Sequence, residues 1–207
     1  MASARQVVAR FAAAALLALA LAVDPAWGQE APAPAAPLPD IARGSPAAAT
    51  TIVEYASLTC SHCAAFHQHV WPELKAKYVD SGKVRFVLRE FPFDPLAAAG
   101  FLLGRCLGPD KRDPFLDALF DEQEKWAFVD RPIEPLAAYA AKAGMTRAEF
   151  TACLADQRLY DQLKATRAEA KQRFAVDSTP TFLIGDQKLV GEVSLADFDK
   201  ALAPLLK

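Results

Sequence analysis

Apolar positions along the chain change their period several times, and each change marks an element. Thr51 to Ala56 is a nearly continuous apolar run with Glu54 inside it, the pattern of a central strand buried on both faces. From Ser61 the period becomes helical through Ala64, Phe66, Val70, Trp71 and Leu74, which predicts a helix from Ser61 to about Asp80. Pro72 inside it should kink it or open its hydrogen-bond ladder, and the apolar period resumes at Leu74 and Tyr78. Ser81-Gly82 stops it. Lys83 to Phe93, built on Val84, Phe86, Val87, Leu88 and Phe91, reads as the next strand. Such a strand–helix–strand unit pairs its strands in parallel through a right-handed crossover. Ile41 to Pro46 predicts a short first strand and a turn at Gly44-Ser-Pro.

A long helical section follows. Leu96 to Leu107 is an apolar, small-residue helix ended by Gly108-Pro109. Pro114 to Lys125, Glu134 to Ala143, Thr146 to Asp156 and Arg158 to Phe174 read as further helices, with Thr146-x-x-Glu149 as a capping box. No strand interrupts them, so residues of about 96–174 are expected to form a helical subdomain inserted into a sheet domain. Thr181 to Ile184 and Lys188 to Val190 form a hairpin signal around Gly185-Asp186-Gln187. Leu195 to Leu205 is a closing helix with Ser194 as its N-cap and Asp197 at its third position.

Composition narrows the class. The chain has 207 residues, 53% hydrophobic, with a net charge of −2. That suits one globular domain with an insertion, and no Lys/Arg cluster offers a phosphate-binding stripe, which argues against nucleic acid. Residues 1–28 read as a secretory signal: Arg5 and Arg10, the apolar run Phe11 to Val23, then Ala26-Trp27-Gly28 with small residues at −3 and −1 of a cleavage site. A membrane-spanning helix needs about 20 apolar residues, so cleavage near Gly28 is the expectation and a retained N-terminal anchor the alternative. Residues 29–40 are an Ala/Pro-rich lead-in expected to be extended and disordered, and 41–207 the folded domain.

Export changes the meaning of the four cysteines, because thiols pair in an oxidising compartment. Of three possible connectivities, Cys60 with Cys63 is the local one, leaving Cys106 with Cys153 as a bridge between insert helices or as two small buried hydrophobes. Cys60-Ser61-His62-Cys63 lies where a strand gives way to a helix. Closing so short a loop removes little unfolded-state entropy, so a redox dithiol outweighs a structural staple. Cys60 would sit at the helix N-terminus, whose free N–H groups and dipole favour a thiolate. Cys63, one turn in, would be the resolving sulfur. His62 is expected to favour the Cys60 thiolate. Glu54 is either a solvated carboxylate or a buried one passing a proton to and from Cys63. A metal site using Cys60, Cys63 and a histidine is the rival. However, Cys63 and His67 share a helical face while His69 points away, and no second Cys-x-x-Cys completes a zinc site. His67, His69, Phe66, Trp71 and Trp126 are read as packing or surface residues. Asp177-Ser178-Thr179-Pro180-Thr181-Phe182 is the second site, a proline opening a hairpin after a long helix.

These residues carry a likeness. Thr51 to Cys60, Cys63-Ala-Ala-Phe-His67, Pro72-Glu-Leu-Lys, Val84 to Pro92 and Ser178-Thr-Pro-Thr-Phe182 together resemble the DsbA-type thiol–disulfide oxidoreductases, across nearly all of the mature chain. The resemblance implies a thioredoxin-like α/β fold with an inserted helical subdomain, in the periplasm. It implies Cys60 as nucleophile, Cys63 as resolving thiol and Pro180 as a cis proline facing them. With Thr179, Pro180 would leave backbone free to pair with an extended substrate. Glu54 falls where the family has a buried acid. The usual dipeptide between the cysteines is Pro-His; here it is Ser61-His62, which frees a backbone N–H and alters stiffness near Cys60. The lysine some members place near the buried acid is replaced, with Leu88 at its position.

The expected function is a monomeric periplasmic enzyme that donates the Cys60–Cys63 disulfide to exported unfolded proteins with free thiols. Reoxidation would come from a quinone-linked membrane partner, with no cofactor and no metal. An isomerase or reductase is the enzyme alternative. Isomerases of this fold dimerise through an N-terminal module, for which residues 29–45 are too short and too Pro-rich. A periplasmic metal carrier is the non-enzyme alternative.

Overall fold

The computed structural model describes residues 35–206. The predicted signal, residues 1–28, lies outside the described residues, as do residues 29–34, the first half of the lead-in. The end of the lead-in does not fit the disordered reading. The Leu38 N–H donates to Thr166 Oγ1 at 2.8 Å, and Asp40 pairs with Arg89 at 2.7 Å, because a long helix and one strand offer it polar partners.

Five strands form one sheet in the order β1 (Ile41–Arg43), β3 (Val84–Glu90), β2 (Thr50–Ala56), β4 (Thr181–Ile184), β5 (Gln187–Val190). β2 and β3 run parallel, and the other pairings are antiparallel. β2 sits at the centre, and its alternation divides two cores. Ile52, Glu54 and Ala56 belong to one face and Val53 and Tyr55 to the other. The first face packs on α1 (Ser61–His69) and α9 (Leu195–Leu202), where Phe66, Phe86, Phe182 and Phe198 cluster within 6.3 Å between ring centres. The second is covered by α8 (Gln157–Phe174), through Ala170, Phe174 and the following Val176.

The helix expected from Ser61 to Asp80 is broken. α1 ends at His69, Val70 leaves ideal geometry at φ −108°, and α2 (Trp71–Leu74) restarts the chain. Pro72 is the cause: it has no N–H for the Gln68 carbonyl, and its ring crowds that carbonyl. That section closes as a π turn over Lys75–Val79, with the Asp80 N–H donating to the Lys75 carbonyl. The strand expected to reach Phe93 stops at Glu90.

Between β3 and β4 lie α3 (Pro95–Leu107), α4 (Pro109–Asp121), α5 (Gln123–Trp126), α6 (Ile133–Lys142), α7 (Arg147–Leu154) and α8. α4 begins five residues before the expected Pro114. Gly108, at φ 78°, reverses the chain, and Pro109 occupies the first helical position, where a missing N–H costs nothing; Pro114 is carried inside the helix. The capping boxes at Thr146/Glu149 and Ser194/Asp197 are both formed. The helices are fastened to the sheet by charge as well as packing. Arg105 of α3 meets the buried Glu90 at 2.5 Å, and Arg43 of β1 meets Asp113 and Asp117 of α4 at 3.2 and 2.8 Å.

Candidate active site

β2 delivers the chain to the tip of the sheet, and residues 57–60 carry it into α1. Three contacts fix this loop against the helical subdomain. Buried Gln123 of α5 donates its amide N–H groups to the carbonyls of Leu58, at 2.7 Å, and Cys60, at 3.0 Å. The Thr59 hydroxyl donates to Asp94, whose other oxygen caps α3 by accepting from the Ala97 N–H at 2.8 Å. Gly100 of α3 lies so close to Leu58 that a methyl group there would come within 2.6 Å of Leu58 Cδ1.

Cys60 is the N-cap of α1, half-buried, and Cys63 is fully buried; both are free thiols. The two sulfurs differ sharply. Cys60 is pulled from its ordinary 9.0 down to about 5. The largest cause is the Cys63 thiol donating to the Cys60 sulfur, opposed by partial burial, followed by the Thr179 hydroxyl and the N–H groups of Cys63 and His62 at the helix start. Burial pushes Cys63 well up, with contributions from its bond to Cys60 and from the nearby Glu54 charge.

The Thr179–Pro180 peptide bond is cis, and both residues are buried beside Cys60. As a thiol, Cys60 donates to the Thr179 carbonyl at 3.3 Å. The Thr179 side chain also favours the thiolate; its Oγ1 is buried with no hydrogen-bond partner among the described residues.

His62 stands differently from its expected role. Its imidazole is largely exposed and Nδ1 faces Glu192 Oε1 at 2.8 Å, so the residue serves the thiolate through its backbone N–H. The reason is geometric: at the second helical position the side chain projects outward toward the loop after β5, while the amide points at the helix cap. That side chain borders a groove of about 360 Å³ lined by Phe66, His69, Val70, Glu192 and Val193. Ser61 is exposed at the first helical position, where proline is equally at home.

Glu54 is fully buried, flanked on its strands by Leu88 and Phe182. Its Oε2 lies 2.9 Å from Nε2 of His67, which is also buried. His67, read as a packing or surface residue, is indeed packed, on Phe120, and adds a polar pairing with Glu54 that the reading did not include. The signal was present: one turn beyond Cys63 on the same helical face, it looks toward β2. Gln123 was missed as well, and nothing in its sequence context points to a loop some sixty residues earlier.

Cys106 of α3 and Cys153 of α7 are joined, with Cα atoms 6.2 Å apart, inside the helical subdomain and apart from the Cys60–Cys63 pair. Among the described residues, no three His, Cys, Asp or Glu side chains converge as a metal-holding group.

A family model described as "Thioredoxin" matches residues 38–203. A Rickettsia bellii relative named as a protein-disulfide oxidoreductase is 30% identical over 79% of this chain and 64% of its own, and one from Rickettsia felis is 31% identical over 70% and 52%. The chain thus spans less than two thirds of the length of these curated relatives. The crystal structure of Wolbachia pipientis alpha-DsbA1 superposes with a TM-score of 0.75 at 29% identity, over 83% of this chain and 93% of that one.

Proposed function

We infer the function of a chain that belongs to the thioredoxin-like family of DsbA-type thiol–disulfide oxidoreductases. We propose that it is an exported, periplasmic, monomeric enzyme that donates the Cys60–Cys63 disulfide to exported proteins bearing free thiols. The observation that carries this reading is the asymmetry of the two sulfurs: Cys60 half-buried and pulled down to about 5, Cys63 buried and pushed up.

A substrate thiolate attacks Cys60 Sγ. The Cys60–Cys63 bond breaks, and its electron pair passes to Cys63, which takes a proton and stays a thiol because burial disfavours its charge. Glu54 is the acid placed to exchange that proton. A second substrate thiolate then attacks the substrate sulfur of the mixed disulfide. The new substrate disulfide forms, and Cys60 departs as the stabilised thiolate. A reduced state held this way makes the disulfide a strong oxidant. Thr179 and Pro180 offer the backbone edge against which an extended substrate segment lies during the exchange. A quinone-linked membrane protein would restore the disulfide.

The reduction potential of the Cys60–Cys63 couple tests this. A value toward roughly −120 mV is expected, and one near roughly −270 mV would instead describe a reductase and overturn the proposal. Cys63→Ala has no internal disulfide to donate and is expected to lose oxidising activity; its Cys60 thiolate can instead attack a disulfide already formed in an exported protein, releasing one of that protein's sulfurs as a thiolate and holding the other in a mixed disulfide detectable on non-reducing gels.

A further inference from the structure

Glu54 and His67 form a closed pair that the exchange chemistry leaves half explained. Glu54 is 0% exposed and His67 4%. Nε2 and Oε2 are 2.9 Å apart, while Glu54 Oε1 and His67 Nδ1 have no hydrogen-bond partner among the described residues. The imidazole stacks on Phe120 of α4 at 3.9 Å between centroids and 4° between planes, with Phe66 and Trp71 on its edges. The strands beside Glu54 present Leu88 and Phe182, so neither supplies a cation. Among the described residues, the titratable groups that face the pair include Cys63, with Cys60 beyond it on α1, and Asp121 at the end of α4.

We propose that His67 is a positioning residue that shares a proton with Glu54, making the pair the proton store from which Cys63 is supplied when the disulfide opens. This rests on the exchange reading given above. A carboxylate beside a neutral imidazole is a net negative charge out of water, next to a sulfur that is about to become negative. One more proton makes the pair neutral, whichever of the two atoms carries it. When an attacking thiolate breaks the disulfide, the electron pair goes to Cys63 Sγ and the shared proton follows, through the open Oε1 or a single water. Cys63 becomes a neutral thiol, and the pair holds the negative charge until solvent returns a proton. A histidine suits this because the imidazole is the side chain that ordinarily exchanges protons near neutral pH.

The test is the rate at which a small dithiol, dithiothreitol, reduces the Cys60–Cys63 disulfide of the full chain, for wild type and His67→Gln, between about pH 5 and pH 8.5, the range over which histidine changes charge. Glutamine keeps an N–H toward Glu54 but cannot store the proton. Taking the ratio of the two rates at each pH removes the dithiol's own ionisation. The variant is expected to be about tenfold slower on the acid side, short of the roughly 10²-fold of a full general acid because Glu54 remains, with the ratio returning toward unity as pH rises. A ratio that does not change with pH marks a structural role and overturns the inference while leaving the exchange reading intact. A wild-type disulfide that thiols do not open overturns the exchange reading itself, and the inference with it. Should His67→Gln fail to fold, the imidazole nitrogen resonances of His67 in the wild-type chain decide: they are expected to differ between the oxidised and reduced protein at one pH, and identical resonances overturn the inference.

Discussion

The chemistry is concentrated in one sulfur, and its pH behaviour has a fixed sign. Reduced Cys60 titrates near about 5 in the folded chain against an ordinary 9.0, so its folded value is depressed. The stabilisation it lends the reduced protein is fully present above about 9, shrinks as pH falls, and is lost below about 5. The oxidised protein has no thiol there to titrate. Denaturant unfolding of both forms across this range should show the reduced form gaining on the oxidised one as pH rises from about 5. The ultraviolet absorbance of the thiolate should place the midpoint directly. Because the Cys63 thiol is the largest cause of the shift and the His62 imidazole turns to Glu192, Cys63→Ala should raise that midpoint more than His62→Ala does. Ser61→Pro should leave it in place, since the N–H groups facing Cys60 belong to His62 and Cys63.

Among the elements, the short α5 acts on the active-site loop through a single side chain. Gln123→Ala leaves the Leu58 and Cys60 carbonyls without their buried donor, and is expected to cost about 2 kcal/mol in denaturant unfolding. It should also slow disulfide exchange, because the loop before Cys60 loses one of its anchors to the subdomain. Such links mark the boundary of what the sequence discloses. The Cys-x-x-Cys, the strand before it and the helix after it are local patterns, and they were legible. So were the parallel pairing of β2 with β3, set by the helix that joins them, and the Thr146–Glu149 capping box and the Ser194 N-cap, each set by residues a few positions apart. The His67–Glu54 pair needed the facing of one helix against one strand. Gln123 needed the packing of a subdomain, which no periodicity encodes. The kink at Pro72 and the helix end at Gly108-Pro109 were legible too; what was not is that α4 starts at once at Pro109 and carries Pro114 inside it.

For the molecule as a whole, the helical subdomain is held by a covalent tie and by charged fastenings. The Cys106–Cys153 bridge closes a loop of 47 residues, which by chain entropy is worth about 4 kcal/mol. The Cys106→Ser/Cys153→Ser double variant should therefore unfold at lower denaturant concentration by about that amount, with the Cys60 midpoint unchanged because the bridge lies apart from the active-site pair. The margins of the sheet have a different consequence. β1 is three residues long, and β5 is four, exposed except for Leu189, with Lys188 reaching back to the carbonyls of Phe174 and Ala175. A protein proposed to meet unfolded chains runs the hazard of recruiting them along an open sheet margin and seeding aggregates. Brief, charged margins deny a client any long strip to lie on, so an extended segment finds its register beside Thr179 and Pro180, where a sulfur waits, and can leave once its disulfide is made.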